Sequence, residues 1–133
     1  MKTGLLAFAF VALASVASAQ SITDYSAKYY NVGAPAPVQT ETFLAAAVSC
    51  NQVTPTNTNT VNPTRMYWDD PANVGKVCIY TPAAGAPLLS LPVGSFEGTL
   101  TANNAAGPSA ESARVPFSKL AVPPVLTGLR FTR

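Results

Sequence analysis

Twelve prolines are distributed through the chain from Pro35 onward, and they leave little room for a long helix. A proline inside a helix removes a backbone hydrogen bond and costs about 3 kcal/mol. The segments between the prolines are short, and Gly and Asn residues mark their ends as well. This is the pattern of short strands joined by turns. We therefore predict an all-β domain of about seven short strands.

The first nineteen residues predict a targeting segment. Lys2 gives one positive charge, residues 5–17 are uncharged and mostly apolar, and Ala17-Ser18-Ala19 places small residues at a cleavage site. This is the layout of a secretory signal peptide. A membrane anchor is the alternative, but the apolar run is shorter than the roughly 20 residues that span a bilayer. We expect residues 1–19 to be removed and the protein to be secreted, into a periplasm or the medium, without stable membrane insertion.

Cys50 and Cys78 are the only cysteines of the chain. In an oxidising compartment an isolated pair most simply forms one disulfide. Closing a loop of about 29 residues stabilises the fold by roughly 3–4 kcal/mol in the chain-entropy model. Two buried free thiols are the alternative. A zinc site is not expected, because structural zinc takes about four ligands.

Charged residues are few, with eight Lys and Arg, six Asp and Glu, and no histidine. Without histidine there is no Ser-His-Asp or Cys-His catalysis and no histidine-based metal site. The nearly balanced charge gives no electrostatic footprint for nucleic acid. We therefore predict no cofactor, no metal and no nucleic-acid partner.

Three segments carry the strongest local patterns. Residues 42–50 are apolar, and Leu44 and Val48 alternate with other residues as in a strand, although the three consecutive alanines at 45–47 leave a short helix as the alternative. Residues 66–80 predict a hairpin with its turn at 69–75. Residues 96–103 form the clearest strand, because apolar and polar residues alternate there.

The stretch from Leu91 to Ser112 resembles the last third of a fibronectin type III domain. That family places Leu-Pro-Gly before an aromatic residue, then an alternating strand and a fixed turn. The matching residues are Leu91, Pro92, Gly94, Phe96, Leu100, Ala102, Asn104, Gly107, Ser109 and Ser112. Phe96 departs from the family by lacking a hydroxyl, and Gly98 stands where an inward aliphatic residue is usual.

The resemblance implies a single immunoglobulin-like, fibronectin type III-like β-sandwich over residues 35–117. Residues 20–34 are then an N-terminal entry segment, and residues 118–133 are a Pro-rich C-terminal tail. Part of this tail, residues 123–131, looks like the opening of another such domain, although we favour a surface extension. The family implies binding or scaffolding more often than catalysis.

Tyr67 and Tyr80 are the candidate binding surface. Exposed aromatic residues on a flat β face bind sugars or proteins. Trp68 lies between them in the predicted hairpin, but as the only tryptophan it is the best candidate for the centre of the core. The expected partner is a protein or a glycan, and no catalytic residue is assigned.

Two further functions stay open. One alternative is a small secreted hydrolase that uses Asp69 and Asp70, or Glu97, as its carboxylates. Asx hydrogen bonds in a turn are the simpler role for the aspartate pair. Residues Asn51–Thr64 are rich in Thr and Asn, and a secreted inhibitor presenting this loop to a protease is the other alternative. The main prediction remains a secreted, non-catalytic binding or structural module.

Overall fold

The computed structural model describes residues 21–56 and 58–133, so the predicted signal peptide at 1–19 lies outside the described residues. The described part is nearly all β, as predicted. Its strands are β1 (Asp24–Asn31), β2 (Gln39–Leu44), β3 (Val48–Gln52), β4 (Met66–Asp69), β5 (Val77–Tyr80), β6 (Gly94–Asn104), β7 (Gly107–Pro108) and β8 (Val115–Lys119). A 3₁₀ turn (Ala45–Ala47) and one short helix, α1 (Pro87–Ser90), complete the described secondary structure. None of the described helices has the length and apolarity needed to cross a membrane.

The strands form two antiparallel sheets that pack face to face. The larger has five strands, with β2, β1 and β6 side by side and both β7 and β8 along the far edge of β6. The smaller has three strands in the order β3, β5, β4. The prediction of an all-β sandwich is confirmed.

Aromatic side chains fill most of the space between the sheets. Tyr25, Tyr29 and Phe43 reach inward from the larger sheet and are buried. Trp68, on the smaller sheet, lies 5.0 Å from the ring of Tyr25. Burying such large rings is the main apolar contribution to this small core.

The expected entry segment at 20–34 is instead a central part of the sandwich. It contains β1, which pairs with β2 on one side and with β6 on the other. Tyr25, Ala27 and Tyr29 alternate along β1 and are buried, with Ala27 completely so. The alternation of a half-buried strand was present in the sequence and lies outside the predicted domain of 35–117.

The predicted strand at 42–50 is interrupted. β2 ends at Leu44, the three alanines form the 3₁₀ turn, and β3 continues in the other sheet. Leu44, expected to face the core, is 65% exposed, whereas Glu41 and Phe43 point inward. Pairing of Glu41 with Ala27 determines this register, and a shift of one residue reverses the faces of a whole strand.

Two serines cover the edge of β6 between β7 and β8. Ser112 N donates to Leu100 O, while Leu100 N donates to Ser112 Oγ at 2.9 Å. Ser109 makes the same pair of bonds with Ala102, and Ala102 N lies 3.0 Å from Ser109 Oγ. We call these two arrangements the serine clips. They give partners to an edge that otherwise has unpaired backbone groups.

Candidate functional site

An open apolar cleft of about 800 Å³ lies between the two sheets. Its walls include Met66 and Trp68 of β4 and Leu100 and Ala102 of β6. These four side chains face the interior, yet all of them are only half-buried. The inner faces of β4 and β6 are therefore incompletely covered.

The cleft opens beside β4 because the smaller sheet has only three strands. Within the described residues β4 has β5 as its one strand neighbour, so β4 forms an edge of that sheet. Residues of β1, of the loop at 58–65 and of the segment 109–117 contribute further walls. An edge strand presents backbone N–H and C=O groups to an incoming strand.

Buried Glu41 connects the two sheets near this cleft. Tyr29 OH donates to Glu41 Oε1 at 2.8 Å, and Tyr80 OH donates to Oε2 at 3.0 Å. Leu88 N of α1 donates to Oε1 at 3.1 Å. Both carboxylate oxygens are thus used as acceptors, which is the condition for holding a carboxylate inside a core.

The two tyrosines in this network remain hydrogen-bond donors. Burial, reinforced by the hydrogen bond to Glu41, raises the pKa of Tyr29 far above its usual range. The same two causes raise the pKa of Tyr80 to about 12. The network is therefore a structural bridge between the sheets. Sequence reasoning missed it because Glu41 lies just outside the strand predicted at 42–50, in which Leu44 was expected to face the core.

The structure separates the two predicted surface aromatics. Tyr80 is not part of an exposed face: its ring stacks on Phe43 with centroids 3.7 Å apart, inside the sandwich. Tyr67 lies on the other face of the smaller sheet, where it pairs with Ile79 of β5, and it is 39% exposed. Alternation along paired strands makes this separation unavoidable, since Tyr80 pairs with Met66 rather than with Tyr67.

Asp70 forms the turn that the sequence predicted. Its Oδ1 accepts a hydrogen bond from Ala72 N at 2.9 Å, and its Oδ2 accepts one from Asn73 Nδ2 at 3.1 Å. These bonds, the backbone one foremost, hold the pKa of the Asp70 carboxyl below its usual range. Asp69 is exposed, whereas Asp70 is buried.

The predicted disulfide between Cys50 and Cys78 is present, with 28 residues of sequence separation. Both sulfur atoms and an Asp70 carboxylate oxygen lie within 4.8 Å of one another. Sulfurs joined in a disulfide are not thiolate ligands, so this cluster is a poor metal site.

Glu97, the third candidate carboxylate, belongs to a polar cluster on the outer face of the larger sheet. Glu97 Oε1 accepts from Gly33 N at 3.1 Å and from Arg114 Nη1 at 3.2 Å, and these bonds lower the Glu97 pKa.

The guanidinium of Arg114 also lies over the Tyr30 ring, 3.6 Å from its centroid. Tyr30 OH donates in turn to Glu111 Oε2 at 2.5 Å. No local sequence signal reveals this cluster, because it forms only when residues 111–114 return to β1 and β6.

The loop proposed for an inhibitor is attached to the larger sheet. Val61 forms a parallel bridge with Ser118, and Asn62 N donates to Ser118 O at 2.8 Å. Asn62 Oδ1 accepts from Leu120 N at 2.7 Å. Residues 60–62 are therefore held against β8 rather than projecting as an isolated loop.

No protein-family model, no curated protein sequence and no solved structure matches this chain.

Proposed function

We propose that this chain is a secreted, non-catalytic binding module that takes an extended apolar protein segment into the cleft between its sheets. The observation that carries the proposal is the position of the apolar cleft directly beside the edge strand β4. Strand addition uses both features at once: the edge supplies backbone hydrogen bonds, and the cleft receives alternate side chains.

The chemistry of the cleft favours a protein segment over a glycan. Its walls are formed largely by Trp68, Met66, Leu100 and other apolar side chains. Sugar recognition needs convergent hydrogen-bonding groups beside an aromatic face. Here the polar groups near the cleft already bond to one another. The Glu41 carboxylate accepts three hydrogen bonds from within the protein, and Tyr80 OH is one of the donors.

A hydrolase is less well supported by the same contacts. The Asp70 and Glu97 carboxylates are both held by hydrogen bonds of the fold. Retaining glycosidases place two carboxyl groups about 5 Å apart in one cleft. Of the three candidate carboxylates only exposed Asp69 borders the cleft, and it does so from a position of β4 that alternates with the inward-facing Met66 and Trp68.

The family and the compartment belong to this proposal. A fibronectin type III-like sandwich is supported by buried Leu91 and Phe96 and by Gly107, whose φ of 124° suits glycine. The ring of Phe117 lies 3.4 Å from where a Cβ at Gly98 would be, so it fills the gap left by the absent aliphatic residue. Secretion is supported by the N-terminal pattern and by the disulfide.

Trp68 allows a direct test, because it is the only tryptophan and lines the cleft. The full chain is titrated with peptides of about nine residues, a strand's length, that alternate Leu or Phe with Thr. We expect a saturable shift of tryptophan emission with these peptides. Peptides with Ser in place of Leu and Phe, and soluble oligosaccharides, serve as comparison ligands and are expected to give none.

Two variants of neighbouring residues on β6 locate the binding. Ala102→Phe fills the cleft and is expected to abolish the shift, whereas Thr101→Phe on the outer face leaves it intact. A response to oligosaccharides alone, or none to any apolar peptide, contradicts the proposal. So does a hydrolytic activity that is lost in the Asp69→Asn, Asp70→Asn double variant.

A further inference from the structure

The C-terminal tail has the pattern of a strand without a sheet. In an extended conformation Val125, Thr127, Leu129 and Phe131 share one face and alternate with residues of the other face. Residues 120–133 belong to no strand or helix and are exposed, with Leu129 at 79% and Phe131 at 90%. A run of exposed large apolar side chains on a soluble protein marks an interaction site.

The cleft and β4 offer this tail a complementary surface. On β4, Met66 and Trp68 point into the cleft, whereas Tyr67 and Asp69 alternate with them. A strand added beside β4 directs its apolar face into the cleft and its other face outward. Arg130, on that other face of the tail, then lies on the same side as exposed Asp69, with opposite charge.

The tail does not occupy the cleft of its own molecule. None of residues 118–133 lines that cleft. Asn62 Oδ1 holds the chain at Leu120 N, and Pro123-Pro124, a stiff extended pair, follows before the apolar part of the tail. Gly128 has φ of 73° and must become extended to join a strand, a change that glycine makes at little cost.

We propose that residues 125–131 of one copy of this chain add as a strand to β4 of a second copy and insert Leu129 and Phe131 into its cleft. The inference rests on the proposed function and names the protein segment that the cleft receives. Because the tail and the cleft are different surfaces, each copy uses both, and the contact is heterologous. Such a contact builds open head-to-tail chains of molecules unless it closes into a ring.

The first test is the mass of the full chain in solution, measured by light scattering after gel filtration over a range of concentrations. We expect assemblies that grow with concentration. Leu129→Asp and Phe131→Asp are each expected to give monomers, because a charge in the apolar cleft is strongly disfavoured. Leu126→Asp, the same change on the other face of the tail, is the matched control and keeps the assemblies. All three positions are exposed, so the fold tolerates the changes.

The second test reverses the charges. Arg130→Asp places two negative charges together, and Asp69→Arg places two positive charges together. Each variant alone is expected to associate about fivefold more weakly, as for loss of an exposed ion pair worth about 1 kcal/mol. In an equal mixture each tail meets a cleft of opposite charge, so association is restored.

The outcomes separate this inference from the proposed function. A full chain that is monomeric at every concentration, or a Leu126→Asp variant that dissociates as Leu129→Asp does, overturns the second-copy contact. If apolar peptides still shift the Trp68 emission, the binding module stands without it. If the full chain is a monomer and Leu129→Asp changes its Trp68 emission, the tail lies in the cleft of its own molecule. That result also overturns the inference.

Discussion

Glu41 shows how one residue connects the two sheets. It is 4% exposed, and its carboxylate receives hydrogen bonds from β1, β5 and α1. Removing the acceptor leaves two buried donors, Tyr29 OH and Leu88 N, and the partly buried Tyr80 OH without this partner. Each fully buried group costs about 1–3 kcal/mol.

Glu41→Leu is therefore expected to lower the free energy of unfolding by about 2–4 kcal/mol, measured by urea denaturation. Glu41→Gln is expected to lose less, because the amide oxygen still accepts. Thr42→Leu, one residue later on the exposed face, is the control and should change stability by no more than about 0.5 kcal/mol. Equal stability of Glu41→Leu and the unmodified chain would contradict the bridging role.

Acid is expected to destabilise the protein through carboxylates that the fold stabilises in their charged form. Hydrogen bonds lower the pKa values of three carboxyls. Ala72 N donates to Asp70, Gly33 N donates to Glu97, and the Thr99 hydroxyl donates to Glu111. A folded pKa below the unfolded one gives stability that is present above the unfolded value. That stability is lost as the pH falls through the folded pKa. The loss therefore begins near the ordinary carboxyl values, about pH 4, and continues below them.

Asp70→Asn tests one part of this pH dependence. The variant should be less stable than the unmodified chain at pH 7, because its amide N–H₂ faces the Asn73 amide instead of accepting from it. The difference should shrink by about pH 3, below the ordinary carboxyl pKa, because the unfolded chain then binds a proton that the folded Asp70 carboxyl resists. Urea denaturation at both pH values measures it, and a difference that is independent of pH would refute the argument.

At the scale of single elements, the serine clips complete the edge of β6. Ser112→Ala removes the acceptor of Leu100 N, and Ser109→Ala removes that of Ala102 N. A lost hydrogen bond of about 1 kcal/mol makes local opening about fivefold easier. We expect hydrogen exchange of these two amides to accelerate by about that factor, while Ser95→Ala, at an exposed position of β6, leaves it unchanged. Unchanged exchange at Leu100 in Ser112→Ala would contradict the clip.

Elements with strong local patterns were predictable, and those that depend on distant pairing were not. The alternation from Phe96 to Ala102 predicted β6, and the aspartate turn and the disulfide were also predicted correctly. The inward position of Glu41 follows from its register with Ala27, which no local pattern contains. The cleft arises from the unequal number of strands in the two sheets, a property of the topology rather than of any motif.

At the scale of the whole molecule, the inner face of the larger sheet is closely packed at some positions and open to the cleft at others. Ala27 is completely buried in the core, whereas Ala102 lines the cleft on the same inner face of the larger sheet. Added methylene groups strain a packed core by about 1–3 kcal/mol, and space beside Ala102 accommodates them.

Ala27→Leu is thus expected to lower the free energy of unfolding by about 1–3 kcal/mol or more, and Ala102→Leu to leave it nearly unchanged. Thermal and urea denaturation compare the two variants. Equal losses would show that the cleft is closed in solution.

The disulfide has a consequence for the loop at 53–65, which lies inside the covalent ring closed by Cys50 and Cys78. A peptide bond hydrolysed in this loop does not divide the protein into separate pieces. The nicked product keeps its mass on a non-reducing gel, apart from one added water, and yields two fragments only after reduction. Backbone cleavage there is therefore not seen on a non-reducing gel, and the disulfide keeps the two fragments joined so that they can reassociate.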